Sequence, residues 1–336
     1  YHWPEKLRDR NKEALQVISD ERQEALNIRC FEQFQFFQQW HALKQYANDR
    51  NVMLFGDMPI FVAHDSVDVW AAPDLFTLDK YGQPETVAGV PPDYFSDTGQ
   101  RWGNPLYRWQ QHLEQDFSWW QQRIQTQLEL FDLIRIDHFR GFEACWEIPA
   151  SCETAIEGRW VTAPGDALFE KLLTFFGELP LVAEDLGIIT EDVTALRKKY
   201  AMPGMKVLQF AFGSDATNPY LPHHHCQDSV CYTGTHDNDT TLGWYQDLDE
   251  NTKIHIHQYL GEPQQTMPWL LIQAALRSVS QLAVIPMQDL LSLDGEHRMN
   301  VPGTIEGNWE WQFDWEMVDE QCAPRLRKLN ELYGRN

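Results

Sequence analysis

The sequence contains no run of about eighteen apolar residues, so no membrane-spanning helix is expected from it. Basic residues are scarce: 27 Lys and Arg stand against 50 Asp and Glu, for a net charge of −23. A surface this acidic repels phosphate backbones and argues against a nucleic-acid partner, and it favours solubility over membrane association. The six cysteines (30, 145, 152, 226, 231 and 322) include no CxxC pair. In a chain of this length they read as reduced cytosolic thiols, and a cytoplasmic location is expected. The opening residues YHWPEKLRDRNKEALQ lack both an initiator Met and an apolar signal-peptide core, which points to a processed or truncated chain. Short repeats and low-complexity tracts are absent too.

What is present suffices for a sizeable core. The chain has 336 residues, room for one large or two ordinary domains, and 43% of them are hydrophobic. Aromatic residues are in excess, with 14 Trp, 18 Phe and 11 Tyr. They can fill a core or offer flat apolar faces to a ligand, and both uses are expected.

Strand, loop and helix alternate along the chain. Residues 19–50 keep helical spacing, with Ser19 or Asp20 as cap. VMLFGDMPIFV (52–62) reads as a strand, followed by a loop rich in Pro, Gly and aromatics over about 63–105. A helix near 108–130 leads to the strand FDLIRID (131–137). After an irregular stretch, Asp166 is expected to cap a helix over 166–179, and Thr190 a helix over 190–200. Further strands are expected at 179–187, 205–212, 229–237 and 282–291, with a helix at about 265–280.

Six buried strands alternating with helices predict an α/β fold built on a parallel sheet. Polar residues close the strands: Asp57, Asp137, Glu184, Asp237 and the pair Gln288 and Asp289. Functional residues gathered from the ends of several strands are the pattern of a (β/α)8 TIM barrel. A doubly wound sheet would concentrate its site at one switch point, and no G-x-G-x-x-G follows a strand here. Six strands do not close such a barrel, so its first two strands are expected to be missing from this chain. The expected organisation is one partial barrel domain over 1–336, with an aromatic loop insertion at about 63–105 and a helical or irregular subdomain at about 140–178.

Asp137, Glu184 and Asp237 lie 47 and 53 residues apart, spacings of one or two β/α units. Two carboxyl groups flanking a scissile bond are what glycoside chemistry needs: one ionised nucleophile and one acid of raised pKa. Arg135 has the parity to point with Asp137 and to hold it ionised. Glu184 follows the apolar run LPLVA, where desolvation favours the protonated form. Taken singly, each of these could be a structural ion pair at a strand end. The coincidence of three favours catalysis.

RIDHFRG, AEDLG and YTGTHDND, in this order, resemble the conserved regions of the amylomaltases, the 4-α-glucanotransferases of glycoside hydrolase family 77. So do GDMPIFVAHDSVDVWA (56–71), VAGVPPDYFSDTGQRWGNPLYRW (87–109), GMKVLQFAF (204–212) and MNVPGT (299–304). The likeness runs over about 51–312 and is closest to the short bacterial form. It implies Asp137 as nucleophile, Glu184 as general acid/base and Asp237 as transition-state stabiliser. Arg135 and His236 would hold the sugar in the cleaved subsite. Gln100, Phe210 and Asn300 match substrate-contact positions, and Asp57 is expected to reach the cleft.

Loop 91–105, with Tyr94, Phe95 and Trp102, would overhang the acceptor side and favour a sugar hydroxyl over water. Asn104, Asn238 and Asp239 are weaker candidates that could simply brace loops. The resemblance implies an α-1,4-glucan donor, a glucose or malto-oligosaccharide acceptor, and no metal or organic cofactor. His223–His225 could suggest a metal, but three consecutive histidines point in different directions and no Cys or carboxylate partner has ligand spacing. A solvent loop fits better. Two rival readings remain open from sequence: a retaining α-amylase-like hydrolase using the same carboxylates, and a non-catalytic glucan-binding protein.

Overall fold

The computed structural model describes residues 3–92, 96–261 and 265–335. The chain forms two compact units, Tyr1–Met202 and Pro203–Asn336. Among the described residues no helix is long and apolar enough to cross a membrane, and all six cysteines are free thiols.

In the first unit the chain-order strands are β1 (Phe55–Pro59), β2 (Thr86–Val90), β3 (Gln100–Pro105), β4 (Leu133–Asp137), β5 (Ala144–Pro149), β6 (Arg159–Thr162) and β7 (Leu181–Ala183). Strands β1, β4 and β7 form a parallel sheet in that order, so each β/α step adds the next neighbour. The alternation within β4 explains its mixed composition. Ile134 and Ile136 are fully buried on one face, while Arg135 and Asp137 project from the other. Asp57 of β1 is the register partner of Arg135, which puts the two side chains on the same face.

The segments read as an aromatic loop and an irregular subdomain join in a second sheet, antiparallel, of order β3-β2-β5-β6. The loop reading of 63–105 is thereby corrected. Gly89 makes this pairing possible, because a Cβ there would lie 2.2 Å from the main-chain oxygen of Gln100. Part of the aromatic excess is core: Trp120, Phe139, Phe142 and Phe169 are fully buried, with Trp120 and Phe142 ring centroids 5.2 Å apart.

Helix boundaries moved for local reasons. The stretch 19–50 belongs to two helices, Lys12–Glu21 and Gln23–Asn48, and Asn11 caps the first by accepting from Ala14 N at 3.0 Å. Ser19 and Asp20 thus lie inside a helix and cap nothing. The 108–130 helix breaks at Asp116 and Phe117, both left-handed. Helix Gly165–Phe176 begins after Pro164, and Asp166 turns instead to Lys199 and Tyr200. Thr190 caps Glu191–Lys199 as expected, accepting from Val193 N.

The second unit holds β8 (Gly204–Val207), β9 (Ser229–Tyr232) and β10 (Leu282–Val284), parallel and again ordered along the chain. Helices Thr241–Asp247, Glu250–Leu260 and Cys322–Tyr333, which the sequence reading left out, accompany Trp269–Arg277. The expected strands at 205–212 and 282–291 are shorter than predicted and pass into helical turns, Leu208–Phe210 and Met287–Leu290.

Candidate active site

In the first unit, Arg135 binds two carboxylates with separate arms of its guanidinium. Its Nη1 donates to Asp57 Oδ1 and Oδ2 at 2.8 and 2.7 Å, and its Nη2 lies 2.9 Å from Asp137 Oδ1. The arginine is buried, which by itself favours the neutral form, yet Asp57, Asp137 and Glu184 together raise its pKa above the usual value. Asp137 is thereby held from one side at the end of β4.

Glu184 stands one residue past β7. Its Oε2 accepts from His138 N at 2.7 Å and its Oε1 from Leu186 N at 2.9 Å. Desolvation and the nearby Asp137 charge push its pKa up to about 7, against the opposing pull of Arg135 and the two backbone donors. A carboxyl group poised near neutrality beside an arginine-held carboxylate is an arrangement in which the one can donate a proton and the other can attack.

Between them lies His138, with φ +54°, a left-handed conformation uncommon outside glycine. That turn aims its N–H back at Glu184. Burial, reinforced by Arg140, holds the ring's pKa down to about 3, so it stays neutral. The rings of Trp102 and His138 lie nearly perpendicular, centroids 4.7 Å apart at 89°, and Trp102 Nε1 donates to Gln100 Oε1 at 3.1 Å. Strand β3 thus sets an aromatic wall beside the residue that follows Asp137.

The second unit carries its own group on the loop after β9. Asn300 Nδ2 donates to Asp237 Oδ1 at 2.6 Å, and His236 Nε2 lies 3.5 Å from the same oxygen. Arg298 Nη2 donates to the main-chain oxygen of Asp237 at 3.1 Å. The exposed ring of Trp309 sits 5.0 Å from His236.

The model of the 4-alpha-glucanotransferase family, glycoside hydrolase family 77, matches residues 1–317. The chain belongs to this family. It is 51% identical over 341 residues to the 4-alpha-glucanotransferase of Thermus thermophilus, covering 99% of this chain and 68% of that protein. The chloroplastic/amyloplastic 4-alpha-glucanotransferase of Solanum tuberosum is 46% identical over 340 residues, covering all of this chain and 59% of its own length. Among solved structures, the amylomaltase from Streptococcus agalactiae in complex with acarbose superposes with a TM-score of 0.96 at 39% identity, over 99% of this chain and 68% of that one. Amylomaltase from Corynebacterium glutamicum, at 18% identity and a TM-score of 0.70, shares the fold. The α/β architecture is accordingly that of the 4-alpha-glucanotransferase TIM barrels.

Against this family, the expected site residues divide by unit. Asp57, Arg135, Asp137, Glu184, Gln100 and Trp102 come together in the first unit, and His236, Asp237 and Asn300 in the second. Phe210, also in the second unit, is exposed and meets Tyr220 edge-on at 5.5 Å. Tyr94 and Phe95 lie outside the described residues. Asn104 donates to Val62 O, Asn238 accepts from Thr235, and Asp239 accepts from Thr240 N, so these three brace loops. The histidine run scatters its bonds over Tyr259, Ala216 and Tyr220, one partner for each ring.

Sequence reasoning missed His138 and Arg298. His138 stands within RIDHFRG, but what ties it to Glu184 is a main-chain N–H and a positive φ, which residue type does not announce. Arg298 acts on a main-chain oxygen from a distant loop.

Proposed function

We propose that this chain carries the reacting groups of a 4-α-glucanotransferase working by retaining double displacement. The donor is an α-1,4-glucan such as a malto-oligosaccharide or amylose. Asp137 attacks the anomeric carbon while Glu184 protonates the departing glycosidic oxygen, leaving a glycosyl ester on Asp137. Glu184, now a carboxylate, takes the proton from the 4-hydroxyl of glucose or a malto-oligosaccharide. That oxygen then displaces Asp137 and restores an α-1,4 bond. Asp237 takes the stabilising role that the family pattern assigns to it, and Arg135 and His236 bind sugar. The cytoplasm is the proposed location, in keeping with six free thiols.

The observation that supports this reading most is the pairing of Glu184, pushed up to about 7, with an Asp137 held by Arg135. The wall of Gln100 and Trp102 favours a sugar acceptor over water. Chromatography of products from maltotriose tests the proposal. Longer oligosaccharides together with glucose are expected; glucose and maltose alone would identify a hydrolase and reject transfer.

A further inference from the structure

The carboxyl group of Asp289 has no exposure to solvent, yet it is not part of the reacting set described above. Burying a carboxylate is costly unless donors surround it. Here Oδ2 accepts from Thr233 Oγ1 at 2.6 Å and from Thr241 Oγ1 at 2.7 Å, and Oδ1 accepts from Thr241 N at 2.8 Å. Thr233 is the first residue after β9, and Thr241 opens helix Thr241–Asp247. Residues 234–240 lie between them, with His236 and Asp237 at the centre. One buried side chain therefore grips both ends of the loop that presents Asp237.

The loop also carries bonds of its own. Inside it, Thr235 and Asn238 bond to each other, and Asp237 N donates to Thr235 Oγ1 at 3.3 Å. These bonds shape the tip of the loop and do not join its two feet. Gln209 helps by donating to Asp239 O at 2.9 Å, and its amide would meet a Cβ at Gly234 at 2.5 Å. Gln209 N also donates to Thr233 O at 3.3 Å and so reaches from the first foot to Asp239, while Asp289 is the side chain that bonds to both Thr233 and Thr241.

We propose that Asp289 is a positioning residue: by clamping Thr233 to Thr241 it fixes where the Asp237 carboxylate stands. The inference rests on the reading of Asp237 as part of the reacting set. Its expected signature is a loss in kcat with little change in KM, because the clamp sets the geometry of a group that acts in the transition state and touches no ground-state substrate itself.

The test measures kcat and KM for transfer from maltotriose, with thermal unfolding alongside, for Asp289→Ala, Asp289→Asn, Thr233→Val and Asp237→Asn. Asp289→Ala should lower kcat by about 10²-fold with KM within about threefold. Asp289→Asn should recover part of that loss, since its carboxamide oxygen still accepts from Thr241 N and the two hydroxyls can turn to accept from its NH2. Adding Thr233→Val to Asp289→Ala should cost nothing further, as expected for partners in one contact.

An Asp289→Ala protein that is folded and within about threefold of the parent in kcat overturns the clamp. If that variant does not fold, Asp289→Asn and Thr233→Val decide: kcat lowered about tenfold at unchanged KM upholds the clamp, and parental kcat in both rejects it. Near-parental turnover by Asp237→Asn rejects the role of Asp237 and the clamp with it. An inactive Asp237→Asn beside an unimpaired Asp289→Ala rejects the clamp alone.

Discussion

The main-chain N–H of His138 donates to Glu184 Oε2 at 2.7 Å. His138 is also the residue directly after Asp137. A single peptide unit therefore links the proposed nucleophile to the carboxyl group that must protonate the leaving oxygen. The bond favours the charged form of Glu184, and it is overcome only because desolvation and the Asp137 charge push harder the other way.

The alkaline limb of the kcat/KM profile is expected to fall with an apparent pKa of about 7, as Glu184 loses its proton. Glu184→Gln should remove that limb and lower turnover by about 10²- to 10⁴-fold. Stability follows the same group. Its folded pKa stands above the ordinary 4.5, so the contribution is fully present below about 4.5 and is lost as pH rises through about 7. Urea unfolding of the parent relative to Glu184→Gln should weaken by up to about 3 kcal/mol across that window. A flat difference would show that Glu184 titrates normally.

Arg135→Met should lower kcat by about 10²-fold, because both Asp57 and Asp137 lose their shared cation. The two carboxylates are partly exposed, so water replaces some of the loss and destabilisation should stay at about 1–3 kcal/mol. Arg135→Lys keeps the charge but presents one ammonium where a fork is needed, and should recover stability more than kcat. Calorimetric melting and initial rates on maltotriose separate the two effects. Equal recovery of both by Lys would mean that charge alone matters.

Gly89→Ala should unfasten β3 from β2. Its new Cβ would meet Gln100 O at 2.2 Å and Ile148 Cδ1 at 2.6 Å. Overpacking of this kind costs about 1–3 kcal/mol. Because β3 carries Gln100 and Trp102, KM for the acceptor should rise while the pH profile set by Glu184 stays in place. An unchanged acceptor KM in the folded variant would show that the wall takes no part in binding.

The parallel strands were legible because their residues serve one purpose. Ile134 and Ile136 must be buried, and Arg135 and Asp137 must share the opposite face, so alternation alone places them. The antiparallel sheet escaped notice because its strands carry Pro, Gly and Trp in place of a clean alternation. Its pairing depends on Gly89 lying against Gln100, a contact between distant positions. Helix starts failed at Ser19, Asp20 and Asp166 for a related reason. Each has capping chemistry, but Asn11 and Pro164 stand earlier, where the chain actually turns. In the candidate site, the charged residues at strand ends are legible as a group, and Arg135, Asp57 and Asp137 do lie in contact. His138, which bonds to Glu184 through its backbone, and Asp289, which bonds to two threonines, come into view only with their partners.

The antiparallel sheet draws β2 and β3 from before β4 and β5 and β6 from after it. The chain leaves Asp137, passes through the turn Phe139–Phe142 and enters β5 at once. The wall that carries Trp102 is consequently laced to the chain on both sides of Asp137, so any shift of β4 drags the wall with it. The placing of Trp102 against His138, the residue after Asp137, is then a property of one short circuit of chain. Lengthening or trimming the exposed turn at Tyr81 and Gly82 should leave that placing untouched, which marks the turn as a place where the chain can vary in length without disturbing Trp102.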